Sequence, residues 1–371
     1  MTGTLIQELT KGFAAFGWKN AVMIAVALIL IYLAIWKDYE PTLLIPIGFG
    51  CLLANLGMSN EVGFMKVIYD AGIKTELFPL IIFIGVGAMI DFRPLLSQPS
   101  MVVLGAAGQF GIYATLLLGL ALKFTLPQAA AIGSIGAIDG PTAIFVSSKL
   151  APELMAPIAV AAYSYMSLIP IIQPPIMKLM TSKKERSIHM EYSPKEVSQL
   201  AVILFPILVT VIVALVAPDA APLMAALMLG NLLREAAGVE RLSNTAQHEL
   251  INIATLFLGL SIGSTMIGDR FLNVQTLGVL LLGLIAFVVD TVAGLLFGKL
   301  MCGITKGKVN PLIGACGISA FPMAGRLSAK AALEADPSNF ILMHAMGANV
   351  AGQLGSVIAG GLLLALVLGV G

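Results

Sequence analysis

Charge is what this chain has least of. Asp, Glu, Lys and Arg make up 11% of its 371 residues, against about 25% in an ordinary soluble domain. With 58% of the residues hydrophobic, a soluble fold of this size cannot hide them, so the chain reads as a polytopic membrane protein. A formal net charge of +1 gives no reason to expect a nucleic-acid partner. Cysteine is scarce too. Cys51, Cys302 and Cys316 are odd in number, scattered and set in apolar runs, matching neither a disulfide framework nor a metal-ligand spacing. They read as small buried thiols. Motifs for phosphate binding, metal hydrolysis or a nucleophile triad are missing. A cleavable signal peptide is missing as well. The first 20 residues mix Glu8, Lys11 and Lys19 with apolar residues, as a short surface helix does, and residues 21–36 then act as the first membrane signal.

What the chain does contain is one uncharged stretch built around a single acid, IGSIGAIDGPTAIFVSSK at 132–149. Gly136, Gly140 and Pro141 bracket Asp139. Gly tolerates unusual backbone angles and Pro removes a donor, so a helix should not run through here intact. The stretch has an echo 181 residues on (132 to 313), IGACGISAFPMAGRLSAK. Gly133, Gly136, Pro141, Ala143, Ser147 and Lys149 fall on Gly314, Gly317, Pro322, Ala324, Ser328 and Lys330. Interrupted apolar segments at matching places in two halves point to a transport site.

A spanning helix needs about 20 mostly apolar residues. On that rule, spans are expected at 21–36, 41–56 (broken by Pro46, Gly48 and Gly50), 77–90 and 101–122, the last with Gln109 at its polar centre. A long uncharged segment, 154–177, completes the first half. Residues 60–76 carry five charges and should lie along the interface. The second half repeats the plan with 200–217, 222–233, a polar 235–249, 250–267 and 271–298, which contains Asp290. Residues 337–371 hold no charged side chain and read as two crossings joined near 355–361. The count is roughly nine to eleven crossings plus two interrupted segments. The halves are 1–180 and 197–371, with the polar stretch 181–196 as a hinge whose basic excess puts it on the cytoplasmic side. Inversion is the commoner plan in transporters with broken helices, so the expected fold is all-α with two inverted repeats.

Asp139 is the strongest single candidate for chemistry. A charge at mid-bilayer costs about 2.5–3.5 kcal/mol on insertion scales, so an unpaired carboxyl there would hold a proton or a small hard cation. Thr142 and Ser134 could add hydroxyl oxygens. The other reading is a carboxylate capping the following half-helix. Asn349, Gln353 and Ser356 are spaced to share one helix face, lining either an ion path or a helix contact. His344 is a proton carrier or a packing residue. Tyr163 and Tyr165 are interface anchors or part of a proton relay. Asp290 is a helix-to-helix hydrogen-bond partner or a second site, and Asp91 with Arg93 reads as a solvated pair at a span end.

The stretches YEPTLLIPIGFGCLLANLG, ELFPLIIFIGVGAMIDFRPLL, GAIDGPTAIFVSSKLAP, AAYSYMSLIPIIQPPIMK and HAMGANVAGQLGSVIAGG, covering nearly the whole chain, resemble the β subunit of sodium-pumping, biotin-dependent decarboxylases. That family serves oxaloacetate, methylmalonyl-CoA and glutaconyl-CoA decarboxylases. The resemblance implies an elevator-type fold and a homotrimeric β core in a bacterial cytoplasmic membrane. The partners it implies are a carboxyltransferase α subunit, a biotin carrier protein and a small membrane γ/δ subunit. Carboxybiotin, carried by the partner, would be decarboxylated with uptake of a proton while Na+ is exported. The resemblance assigns Na+ binding to Asp139 and the ion path to Asn349 and Ser356, beside Thr142 and Gln353. It places Tyr163 and Tyr165 near the proton and carboxybiotin chemistry. Two departures stand beside the site: a smaller residue is expected at Ile138, and Pro at Ala348. Moving one charge against 100 mV costs about 2.3 kcal/mol, a modest load for a favourable decarboxylation. The alternatives are a stand-alone Na+-coupled secondary transporter of an organic anion, which would show the same interrupted halves, and a structural anchor, which Asp139 disfavours.

Overall fold

The computed structural model describes residues 16–37, 39–191 and 196–369. The surface helix expected around Glu8 and Lys11, and Lys195 of the polar stretch, lie outside them. The described residues are helical with no strand. In chain order the main helices are α1 (Trp18–Lys37), α2 (Pro41–Asn55), α3 (Gly63–Gly72), α4 (Leu77–Met89), α5 (Met101–Ala107), α6 (Phe110–Ala121), α7 (Leu126–Gly133), α8 (Gly140–Leu150) and α9 (Met155–Met180). Then follow α10 (Gln199–Val216), α11 (Ala221–Glu235), α12 (Ile251–Ser264), α13 (Val274–Ile304), α14 (Met323–Ala335) and α15 (Leu342–Leu368).

Five helical stretches are long and apolar enough to cross a membrane, or up to seven if each of two bent pairs makes one span. That is fewer than the nine to eleven expected. Two apolar runs form helices of only 15 residues, α2 and α11, about 22 Å long and short of the roughly 30 Å hydrocarbon core. Residues 337–371 do not make two crossings. They contain the single 27-residue helix α15, about 40 Å long. Its glycines are close-contact points instead of a turn: a Cβ at Gly361 would strike the backbone of Ala220. The same holds in α2, where the helix continues through Pro46 and Gly48 makes room for α1 at Ala27 and Ile31. The span at 101–122 is not clean. It is interrupted at Gly108 and Gln109, between α5 and α6.

The chain divides into two compact units, Met1–Phe78 with Asn252–Gly278, and Pro79–Ile251 with Val279–Gly371. In the first, α3 is amphipathic. Met65 and Ile68 are buried, while Asp70 accepts exposed ion pairs from Lys66 (2.7 Å) and Lys74 (2.6 Å). The second unit holds both interrupted segments and a large apolar core that includes Ile112, Ile132, Phe145, Leu312 and Val357. Asp91 and Arg93 pair as expected at 3.2 Å, but Arg93 also grips the buried Glu235 of α11 at 3.1 and 2.5 Å. The polar stretch after α9 is strapped down where it is described. Asn310 and Asn339 each donate to the carbonyls of Arg186 and Ile188. His189 meets Asp336 at 2.9 Å, and Lys299 meets Glu185 at 3.2 Å. Asp336 lies outside the spans, and its carboxyl is held down to about 2 by the Ser338 N–H and hydroxyl and by His189.

Candidate functional site

The first interruption is built from local rules. Thr125 and Gln128 cap the start of α7 reciprocally, a capping box. The helix tightens into a 3-10 turn at Ser134–Ala137 and stops where Ile138 enters the left-handed region (φ 53°). A β-branched residue there costs on the order of 1–3 kcal/mol and persists only where its surroundings enforce it. Asp139 is extended, with Pro141 in the first turn of α8, and its Oδ1 accepts the Thr142 N–H at 3.4 Å. The capping reading of Asp139 therefore holds. It is not the whole account, because Asp139 is 5% exposed and its other oxygen is crowded with donors. Oδ2 accepts from the Thr142 hydroxyl, the Gln353 amide and the Ser356 hydroxyl, each at 2.8 Å. Thr142 comes from the same segment, and Gln353 and Ser356 from α15, more than 200 positions away.

The second interruption runs through a 3-10 turn, Pro311–Gly317, in which the Asn310 side-chain oxygen accepts the Leu312 N–H at 3.0 Å. No acid stands at its centre: the residue 181 positions beyond Asp139 is Ala320. Its four carbonyls from Ala315 to Ile318 are instead taken by side-chain amides. Gln173 of α9 donates to Ala315 (2.8 Å), Asn349 of α15 to Cys316 (3.2 Å) and Ile318 (2.7 Å), and Gln109 to Gly317 (3.1 Å). The two interruptions meet through main chain, Ser319 N–H to the Ala137 carbonyl at 3.3 Å, and Ile138 shares a small apolar cluster with Ile318 and Ala320. The Ser319 hydroxyl donates to the Gly352 carbonyl at 3.1 Å.

The structure thus brings Thr142, Gln353 and Ser356 to Asp139 and turns Asn349 to the other interruption. Ser134 donates to the Ala131 carbonyl and does not face Asp139. Tyr163 is buried, away from where an interface anchor sits, and its ring lies against Gly140, where a Cβ would overlap it. Tyr165 donates to the Leu280 carbonyl at 2.5 Å. Asp290 is buried and accepts the Gly111 N–H at 2.5 Å, the helix-to-helix partner reading. His344 is buried at the start of α15; Cys51 and Cys316 are buried free thiols as expected, while Cys302, near the end of α13, is only half-buried. Among the described residues, no group of three or more His, Cys, Asp or Glu could hold a metal ion. Ser319 and the roles of Gln109 and Gln173 were missed. The one available signal was position: Gln173 and Gln353 occupy nearly equivalent places in the two halves.

The family model described as the Na+-transporting oxaloacetate decarboxylase beta subunit matches residues 19–367. The chain belongs to this family. It is 52% identical over 358 residues to the methylmalonyl-CoA decarboxylase subunit beta of Veillonella parvula, covering 96% of this chain and 95% of that one. It is 51% identical to the glutaconyl-CoA decarboxylase subunit beta of Acidaminococcus fermentans, covering 98% and 97%. It is 48% identical to the oxaloacetate decarboxylase beta chain of Klebsiella pneumoniae, covering 98% of each. The chain is accordingly a membrane β subunit of a Na+-transporting decarboxylase. In this β subunit Ile138, where the resemblance leads one to expect a smaller residue, is the left-handed residue beside Asp139. The departure at Ala348 falls inside α15, next to Asn349.

Proposed function

We propose that this β subunit decarboxylates carboxybiotin presented by a biotin carrier and exports Na+ through a site centred on Asp139. The observation that carries the reading is the gathering of three side chains from two distant segments on one buried carboxylate oxygen. Hydroxyl and carboxamide groups hold a hydrogen-bonded carboxyl in one state and offer oxygens to a hard cation in another. Na+ is such a cation, and oxygen ligands suit it. The carboxylate does not comfortably keep both a proton and Na+, so arrival of one favours departure of the other. In the decarboxylation the bond between the ureido nitrogen and the carboxylate carbon breaks. CO2 leaves, and the nitrogen keeps the electron pair and takes the proton. Proton release from Asp139 on Na+ binding supplies the coupling. Tyr163, packed on Gly140, and Tyr165 lie on α9 on the proton's side of this scheme, and Asn349, which holds the Cys316 and Ile318 carbonyls, acts on the ion path through the second interruption.

The halves 1–180 and 197–371, joined by 181–196, are inverted repeats in this reading, and the motion is of elevator type. The order of helices supports it, as does a crossing: the last helix of each half, α9 or α15, places a glutamine on the other half's interruption. The assembly is a trimer of β subunits with a carboxyltransferase, a biotin carrier and a small membrane subunit in a bacterial cytoplasmic membrane. The deciding experiment is Asp139→Asn in the assembled complex. Na+-dependent decarboxylation should disappear while the subunits still copurify; persistent Na+ stimulation removes Asp139 from the ion site.

A further inference from the structure

Gln109 lies in the gap between α5 and α6, 5% exposed, and does not touch Asp139. Its amide nitrogen is 3.1 Å from the Gly317 carbonyl, 3.2 Å from the Gly352 carbonyl and 3.4 Å from the Gly105 carbonyl. Gly317 belongs to the second interruption. Gly352 immediately precedes Gln353, whose own amide sits on Asp139 Oδ2. The gap itself is clasped from another side. In an unbroken helix the Gly111 N–H would bond the carbonyl four residues back; here it is taken by Asp290 of α13. The main chain is also very close at this point, since a Cβ at Gly108 or Gly317 would run into the other's backbone. Gln109 is therefore fixed from behind, and one carboxamide joins the second interruption to the turn of α15 that carries Gln353.

We infer that Gln109 is a positioning residue for the Na+ site, setting where α15 presents Gln353 and Ser356 to Asp139. The inference rests on the reading of Asp139 as the ion site. Ser319 reaches the same Gly352 carbonyl, so losing Gln109 does not strip that oxygen of every partner. The Gly317 carbonyl has no such substitute among the hydrogen bonds of the described residues. Loss of the Gln109 amide thus loosens the second interruption against α15 without removing any group from Asp139. Its signature is weakened Na+ affinity at a preserved maximal rate. A purely structural role would instead lower the amount of assembled complex and leave the affinity of the survivors unchanged.

The test uses the complete decarboxylase complex, with the Na+ concentration for half-maximal turnover as the readout. Gln109→Leu keeps the volume and removes the amide. It should raise that concentration about tenfold, the equivalent of one hydrogen bond, with maximal rate within about threefold of wild type. The double variant Gln109→Leu with Gln353→Met should be worse than Gln353→Met alone by clearly less than the full factor of Gln109→Leu, because part of the Gln109 effect passes through Gln353 and only the Ser356 part is left. Should Gln109→Leu not assemble, Gln109→Asn, too short to span to Gly317, carries the same expectation. An unchanged half-saturation in the Gln109 variants, or effects that multiply in the double variant, overturns the inference. Asp139→Asn is run alongside. If it abolishes Na+ dependence while Gln109→Leu does nothing, Gln109 alone is refuted; if it leaves Na+ stimulation intact, the ion-site reading has failed first.

Discussion

The two interrupted segments occupy equivalent places in the chain and solve opposite problems. In the first, the backbone is satisfied locally and a carboxylate is left that must be satisfied by others. Side chains therefore converge on it from its own segment and from α15. In the second, Ala320 replaces the acid, the carbonyls of residues 315–318 are exposed by the break, and amides from α9, α15 and the α5–α6 gap converge on them. One interruption presents a hydrogen-bonded carboxylate, proposed above to take protons or Na+; the other is a scaffold held by carboxamides. The matching segments share their punctuation in the sequence but not their chemistry.

The comparison can be broken most severely at Asp139. Asp139→Asn leaves the first segment without an acid, like the second, and all Na+-dependent turnover should go with it. Ser356→Ala is the next largest. A hydrogen bond to a charged group is worth about 1.5–3 kcal/mol, so the half-saturating Na+ concentration should rise at least about tenfold in a titration of turnover. An unaltered Na+ titration would remove Ser356 from the site. Gly317→Ala attacks the scaffold instead. It forces a methyl into the Leu104 carbonyl and the Gly108 backbone, a crowding that costs about 1–3 kcal/mol. The melting temperature of the purified complex should fall by several degrees, and an unchanged melt would mean the main chain has slack there. The smallest effect belongs to Cys316→Ala. Its thiol makes long contacts of 3.7 Å to the carbonyls of Leu312 and Ala324, so about 1 kcal/mol of stability should be lost. Na+ half-saturation should stay within about twofold; a large shift would give this thiol a role beyond packing.

Much of this was legible from residue order. Asp139 between glycine and proline announced both a break and a cap, and the echo located the second break because glycine and proline punctuate backbone wherever they recur. Gln353 and Ser356 were found by helical spacing. Asn349 was grouped with them by the same spacing, yet it serves the other break. Spacing fixes which side chains share a helix face and leaves open which of two neighbours, stacked along that face, each will meet. Gln109 and Gln173 gave no local sign, since what they bind is main-chain carbonyl contributed by a distant glycine-rich segment. The crossing count failed for a related reason: the glycines of residues 355–361 signal a turn by composition and are used for close packing within one helix.

The contact between the Ser319 amide and the Ala137 carbonyl carries a separate lesson. It joins the paired kinks by atoms that every residue other than proline possesses, so it is indifferent to which side chains stand there. In the motion proposed for cargo transfer, this link would carry the two kinks together. Ligands around the acid are then free to diversify without uncoupling the machine.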